Sequence, residues 1–208
     1  MKEGLLIVVS GPAGSGKGTV VQHILEDRKH GKDFVFSVSA TTRPPRPGEV
    51  DGVNYHFLTR PEFEARVARG ELLEYTEYCG NYYGTLKAQT AAVLESGRNL
   101  ILEIEVEGAM NIKRCYPGAI TIMLLPPSYA KQEARLRGRA TESEEKIRAR
   151  LSRTREELKL LPKYDYVIYN RDGRVGSVTE DIYAILRAER CRVSRDPDAA
   201  ERYFEQKS

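Results

Sequence analysis

An unbroken apolar run, Leu5-Leu6-Ile7-Val8-Val9, leads into Gly11-Pro12-Ala13-Gly14-Ser15-Gly16-Lys17, and then into Val20, Val21, Ile24 and Leu25 at helical spacing. No other stretch constrains the fold as tightly. Five consecutive apolar residues describe a strand buried on both faces, as in the interior of a parallel sheet covered by helices. The glycines let the backbone curl so that successive N–H groups converge on an anion. The helix after Gly16 points its positive end at the same place, and Lys17 adds a full charge. The spacing G-x-x-x-x-G-K between a strand and a helix is that of a phosphate-binding P-loop, with an ordinary glycine turn as the alternative. The residue after Lys17 is Gly18, and the hydroxyl many such loops place there arrives one position later, at Thr19. Direct Mg²⁺ ligation by the loop is therefore not expected. A Mg²⁺ held through nucleotide phosphates and water is compatible with it, because this ion gives up water reluctantly.

Further strands are expected at 34–38, 54–58, 100–106, 120–125 and 166–169, with helices starting at Pro61, over 128–138 and 143–161, and carrying Val178, Ile182, Ile185 and Leu186. The prolines and Gly48 between Thr41 and Gly48 exclude regular structure there. Strands alternating with helices imply an α/β fold with a mainly parallel sheet core. The 208 residues, 40% hydrophobic and 30% charged, suffice to bury a core, which excludes disorder as the main state. No apolar run approaches membrane-spanning length, and the N-terminus lacks the layout of a signal peptide, so no membrane partner and a cytoplasmic location are expected. Cys79, Cys115 and Cys191 are odd in number and far apart, which fits neither a disulfide framework nor a zinc site. The tail 193–208 reads as a frayed helix or as disordered.

The net charge of +3 gives no support for nucleic-acid binding. Between Ser128 and Arg155, however, nine Lys or Arg face four acids. Elsewhere, Arg43 and Arg46 in a proline-stiffened loop, with Tyr55 and the run Gly80-Asn81-Tyr82-Tyr83-Gly84-Thr85, suit a phosphate monoester. Taken alone, Arg43-Pro44-Pro45-Arg46-Pro47 reads equally well as a polyproline ligand. His23, His30 and His56 lie outside any catalytic pattern and read as surface or structural residues. Glu74, taken from its neighbours Gly70 to Tyr75 alone, reads as a surface acid at a helix end. Glu103 and Glu105 flank Ile104 in an otherwise apolar strand pattern, a placement hard to explain as core.

The run from Phe36 to Glu49 (FSVSATTRPPRPGE), the GNYYGT segment at 80–85 and the GPxGxGKG loop together resemble guanylate kinases of the nucleoside monophosphate kinase group, over about 5–192. The resemblance implies a single P-loop kinase domain over 4–192. Its parts would be a parallel-sheet core (4–38, 87–127, 156–192), a small mixed GMP-binding lobe (39–86) and a helical lid (128–155). It implies ATP and GMP as substrates, dGMP as a further acceptor, and Mg²⁺ accompanying ATP near Thr19 and Glu103. ATP would meet Gly11, Pro12, Ala13, Gly14, Ser15, Gly16, Lys17, Gly18 and Thr19, with Asn170 near the adenine. The GMP phosphate would meet Arg43, Arg46, Tyr55 and Tyr83, and the base Ser39, Glu74 and Thr85. Glu103 and Glu105 stand where many members carry aspartates near GMP and the Mg²⁺ water shell. Lys17, Arg43, Arg135, Arg139 and Arg150 would act on the transferring phosphates. Guanine presents N1–H and NH₂ side by side, which suits a carboxylate such as Glu74. The alternatives are a related kinase with another phosphorylated acceptor or a non-catalytic binding module of the same fold. A homo-oligomer is compatible with either.

Overall fold

The computed structural model describes residues 3–78, 80–138 and 143–205. Along the chain run β1 (Leu6–Ser10), α1 (Lys17–Leu25), β2 (Phe34–Phe36), β3 (Ala40–Thr41), β4 (His56–Phe57), α2 (Arg60–Ala68), β5 (Leu72–Tyr78), β6 (Asn81–Leu86), α3 (Lys87–Glu95), β7 (Asn99–Glu103), α4 (Val106–Cys115), β8 (Ile120–Leu125), α5 (Tyr129–Arg137), α6 (Glu144–Leu158), β9 (Tyr166–Tyr169), α7 (Val175–Glu189) and α8 (Ala199–Glu205).

Five strands form a parallel sheet in the order β2-β7-β1-β8-β9. At its centre β1 is buried at every residue. Ile7 and Val9 pack with Val20, Val21 and Ile24 of α1 and Val178, Ile182 and Leu186 of α7. Leu6 and Val8 turn the other way, toward Val93 and Leu94 of α3 and Ala109 and Ile112 of α4. Helices on both faces are the physical reason that the strand is apolar without alternation. A second, mixed sheet has the order β4-β3-β6-β5. In it β3 runs parallel to β4 and antiparallel to β6, and β5 pairs antiparallel with β6.

The antiparallel register sets Glu74 opposite Thr85 and Thr76 opposite Tyr83. Because side chains alternate along a strand, Glu74, Thr76 and Tyr78 share one face while Tyr75 and Glu77 share the other. Gly84 lies beneath this face, and a Cβ there would come within 3.0 Å of the Glu74 carbonyl oxygen and 3.1 Å of Phe63 Cζ.

Several expectations are corrected. Strands expected at 34–38 and 54–58 shrink to Phe34–Phe36 and His56–Phe57. The strand expected over 100–106 ends at Glu103, and Glu105 is the N-cap of α4. Thr41, the first residue of the stretch expected to be irregular, joins the second sheet as the last residue of β3. Glu74 lies in a strand and is buried, not at a surface helix end. The tail forms a 3-10 turn at Val193–Arg195 and then α8, and no helix among the described residues is long and apolar enough to cross a membrane.

Candidate active site

The first sheet places β1 so that its last residue delivers the chain into the glycine loop, and α1 begins at Lys17. Gly16 caps that helix at φ 87°, where a Cβ would lie 2.4 Å from Asn170 Nδ2. Only glycine satisfies both conditions.

The loop carbonyls are held from outside. Gln132 Nε2 donates to the Ala13 carbonyl at 2.9 Å, and Asn170 Nδ2 to that of Ser15 at 2.9 Å. Arg135 Nη1 reaches the Gly14 and Ser15 carbonyls at 3.4 and 3.5 Å. In a trans peptide the C=O and the following N–H point in opposite directions, so fixing carbonyls outward aims the N–H groups inward. Lys17 Nζ donates to the Gly11 and Pro12 carbonyls at 2.7 and 3.3 Å.

In front of the loop lies a cleft of about 480 Å³. The core supplies Ala13, Gly14, Gly16, Lys17, Gly18, Thr19, Glu103 and Glu105 to its walls. The second sheet and its loop supply Ser39, Arg43, Arg46, Tyr55, Glu74 and Tyr83, and α6 supplies Arg150. Glu105 thus reaches the cleft from a helix cap, and Glu103 from a strand end.

Glu74 is 8% exposed. Its Oε1 accepts from Thr85 Oγ1 at 2.9 Å, while Oε2 is buried without a hydrogen-bond partner. Burial pushes its pKa up to about 7, against the opposing hydrogen bonds from Thr85. An acceptor oxygen left unpaired in a buried position costs free energy unless a donor arrives.

Arg43 is held bidentately by Glu49, with Nη2 2.9 and 3.0 Å from the two carboxylate oxygens, and its Nη1 donates to the Pro44 carbonyl at 2.7 Å. Its guanidinium lies 5.4 Å from the Tyr55 ring centroid. Glu49 also accepts from Arg46 N at 2.7 Å, so one carboxylate ties together both arginine positions of the loop. Burial, then the neighbouring Tyr83 and Glu103, raise the Tyr55 pKa and keep it a neutral hydroxyl.

The remaining expected residues stand elsewhere. Thr85 is wholly buried and sits behind Glu74. Gly11, Pro12 and Ser15 are buried in the loop. Asn170, expected near the adenine, uses its side-chain amide on the loop and its carbonyl on Arg135 Nη2, 2.7 Å away. Arg135 is further bound by Asp172 at 2.7 Å, an acid that also pairs with Lys131. Arg139 and Cys79 lie outside the described residues.

The sequence reading missed Glu49, Gln132, Asp172, and the cleft residues Thr76 and Tyr78. It also missed Glu157, which is buried on α6 close to Glu105 and Lys17. For Glu49 the signal was present: an acid three residues after Arg46, closing a Pro-Gly turn.

The family model described as guanylate kinase matches residues 3–189. Guanylate kinase of Halalkalibacterium halodurans is 48% identical over 194 residues, 93% of each chain. That of Desulfitobacterium hafniense is 44% identical over 93% of this chain and 94% of its own. The crystal structure of guanylate kinase from Anaplasma phagocytophilum superposes with a TM-score of 0.74 at 31% identity, covering 94% of this chain and 90% of that one. With a family model matching residues 3–189, relatives 44% and 48% identical over 93% of this chain and a shared fold, the chain belongs to the guanylate kinase family.

Proposed function

We propose that the cleft carries out Mg·ATP + GMP ⇌ Mg·ADP + GDP, with dGMP as a second acceptor, as a cytoplasmic enzyme of purine nucleotide metabolism. The observation that carries this reading is the buried, unpartnered Glu74 Oε2 in a cleft that also contains the phosphate loop. Guanine N1–H and NH₂ are the paired donors such an acceptor requires, and Thr85 holds the carboxylate in position for them.

Residues 39–86 form the GMP lobe and 128–155 the lid of a single domain over 4–192. Arg43, Arg46, Tyr55 and Tyr83 bind the acceptor phosphate, and Ser39 lies on the base side. The acceptor oxygen is already anionic at neutral pH, so no general base is required. Catalysis is positioning and charge neutralisation by Lys17 and the arginines Arg43, Arg135, Arg139 and Arg150, with water excluded.

Magnesium enters with ATP. This ion gives up water reluctantly, and the nucleotide phosphates would supply most of its other ligands. The Glu103 carboxylate oxygens lie 3.5 and 3.6 Å from where a Cβ on Gly18 would be, so the missing side chain leaves room between loop and acid. Thr19 and Glu103 are the residues that would border the ion's water shell. When bound, the ion neutralises charge on the transferring phosphates.

Coupled ADP release with GMP, dGMP, AMP, UMP and a sugar phosphate tests the reading. A site built on hydrogen bonds to the base should favour GMP over AMP by on the order of 10⁴ in kcat/KM. Glu74→Gln should lose GMP efficiency sharply and gain relatively for AMP, because an amide donates to adenine N1. An unchanged GMP/AMP ratio in that variant would show that Glu74 does not read the base.

A further inference from the structure

We infer that Gln132 is a positioning residue that aims the phosphate loop at ATP and ties it to the lid helix carrying Arg150. It is a buried polar side chain, 1% exposed, beside an otherwise apolar contact of Leu136, Ile147 and Leu151 with Ala13. An aliphatic side chain would suit that contact, and a buried amide is tolerated only where its hydrogen bonds are made.

Gln132 makes two, both as donor: to the Ala13 carbonyl at 2.9 Å and to Thr154 Oγ1 at 2.7 Å. A carbonyl only accepts, so the bond to Ala13 fixes which end of the amide is nitrogen. The Thr154 hydroxyl, 3% exposed, in turn donates to the Arg150 carbonyl at 3.2 Å.

Two consequences follow from geometry. The Ala13 carbonyl and the Gly14 N–H belong to one planar trans peptide, so holding the first outward turns the second toward the cleft. Gly14 lines that cleft, as does Arg150. At its other end the relay terminates on the backbone carbonyl of Arg150, whose residue lines the cleft. Gln132 touches neither substrate nor reacting atoms in this arrangement. It sets the orientation of groups that do, and it joins two parts of the site that lie far apart in sequence.

This inference rests on the reading of the loop as the ATP site, and the test separates the two. Steady-state kinetics with ATP and GMP varied in turn, together with thermal melting, are measured for the wild type, Gln132→Met, Thr154→Val and the double variant. Methionine keeps the length of glutamine and removes its donors. Gln132→Met should raise the KM for ATP roughly five- to twentyfold and lower kcat, with the KM for GMP within about twofold of wild type. Thr154→Val should give a smaller effect of the same kind, about two- to fivefold in kcat/KM for ATP. The double variant should be no worse than Gln132→Met alone, because both changes break one relay.

A lowered melting temperature with unchanged ATP parameters in both single variants would make the pair simple packing and overturn the inference. So would equal losses toward ATP and GMP. If Gln132→Met does not fold, Thr154→Val with unchanged ATP kinetics overturns it equally. A wild type that turns over no ATP with GMP would instead sink the functional reading.

Discussion

Glu74 is subject to opposing influences on its ionisation. Burial raises its pKa to about 7, whereas the adjacent N1–H and NH₂ of guanine are both donors and suit the carboxylate. With Glu74 reading the base as proposed, binding GMP would expel a proton from the fraction of molecules that are protonated near neutrality. The expected result is a kcat/KM for GMP that rises with pH between about 6 and 8, with a limb near the raised pKa. The phosphate of GMP also titrates near pH 6, so Glu74→Gln, which keeps that titration and lacks the carboxyl, supplies the baseline. The sign for stability is opposite. A carboxyl whose folded pKa lies above its unfolded value contributes stability at low pH, and this contribution is lost as pH rises from about 4.5 through 7. The loss is on the order of 3 kcal/mol, so the melting temperature without nucleotide should fall more from pH 5 to pH 8 in wild type than in Glu74→Gln. Parallel pH profiles for the two proteins would refute the assigned titration.

Among the elements, α2 shows how local chemistry supports a distant site. Thr59 Oγ1 accepts from Glu62 N, and Glu62 Oε2 accepts from Thr59 N at 2.7 Å, a reciprocal capping box. The helix it starts carries Phe63, fully buried and stacked on Tyr82 with centroids 5.3 Å apart, beneath the hairpin that presents Glu74. Thr59→Ala should destabilise the protein by about 1 kcal/mol. That is a drop of roughly 2–4 °C in melting temperature for a chain of this size. An unchanged melting curve would mean that α2 holds through Phe63 alone. The same scale explains what was legible in sequence. β1, β7 and β8 were readable because burial on both faces leaves a continuous apolar run. The hairpin of β5 and β6 was not, because LLEYTEY carries two glutamates and an alternation that makes sense only once Thr85 and Tyr83 are opposite. The burial of Glu74 depends on a partner eleven residues away and on α4, where a Cβ on Gly108 would lie 3.4 Å from Glu74 Oε2. Glu103-Ile104-Glu105-Val106 alternates like a strand, yet the chain leaves the sheet after Glu103 and caps a helix at Glu105. Motif spacing thus revealed the loop, and the family resemblance named most of the other cleft residues that the sequence reading placed. The supporting polar contacts of Gln132, Asp172 and Glu157 exist only through tertiary proximity.

At the scale of the whole molecule, α6 touches all three parts of the proposed machine. Its Arg150 lines the cleft, its Thr154 joins the phosphate loop through Gln132, and its Arg153 guanidinium lies 4.4 Å from the ring centroid of Tyr78 in β5. Arg153 also pairs with the buried Glu157 at 3.3 Å. The Tyr78 ring in turn meets Tyr83 edge-on, with centroids 6.4 Å apart, so α6, the helix of the proposed lid, reaches through Tyr78 to the wall proposed for the GMP phosphate. A cation–π contact at a partly exposed position is worth about 0.5–1 kcal/mol. If it favours the arrangement in which lobe and lid are together, its removal should weaken GMP binding by the matching factor, about two- to fivefold. Arg153→Ala and Tyr78→Leu should each raise the KM for GMP by that amount. The double variant should equal either single one, since both delete the same contact. Tyr78→Leu leaves the Arg153–Glu157 pair in place, so agreement between the two single variants assigns the effect to the ring contact rather than to an orphaned acid. Arg155→Ala, on an exposed part of the same helix, removes the same charge without that contact and should leave the KM for GMP unchanged. A rise in the Arg155 variant equal to that in Arg153→Ala would assign the effect to the lid's bulk charge and dissolve the coupling between lid and lobe.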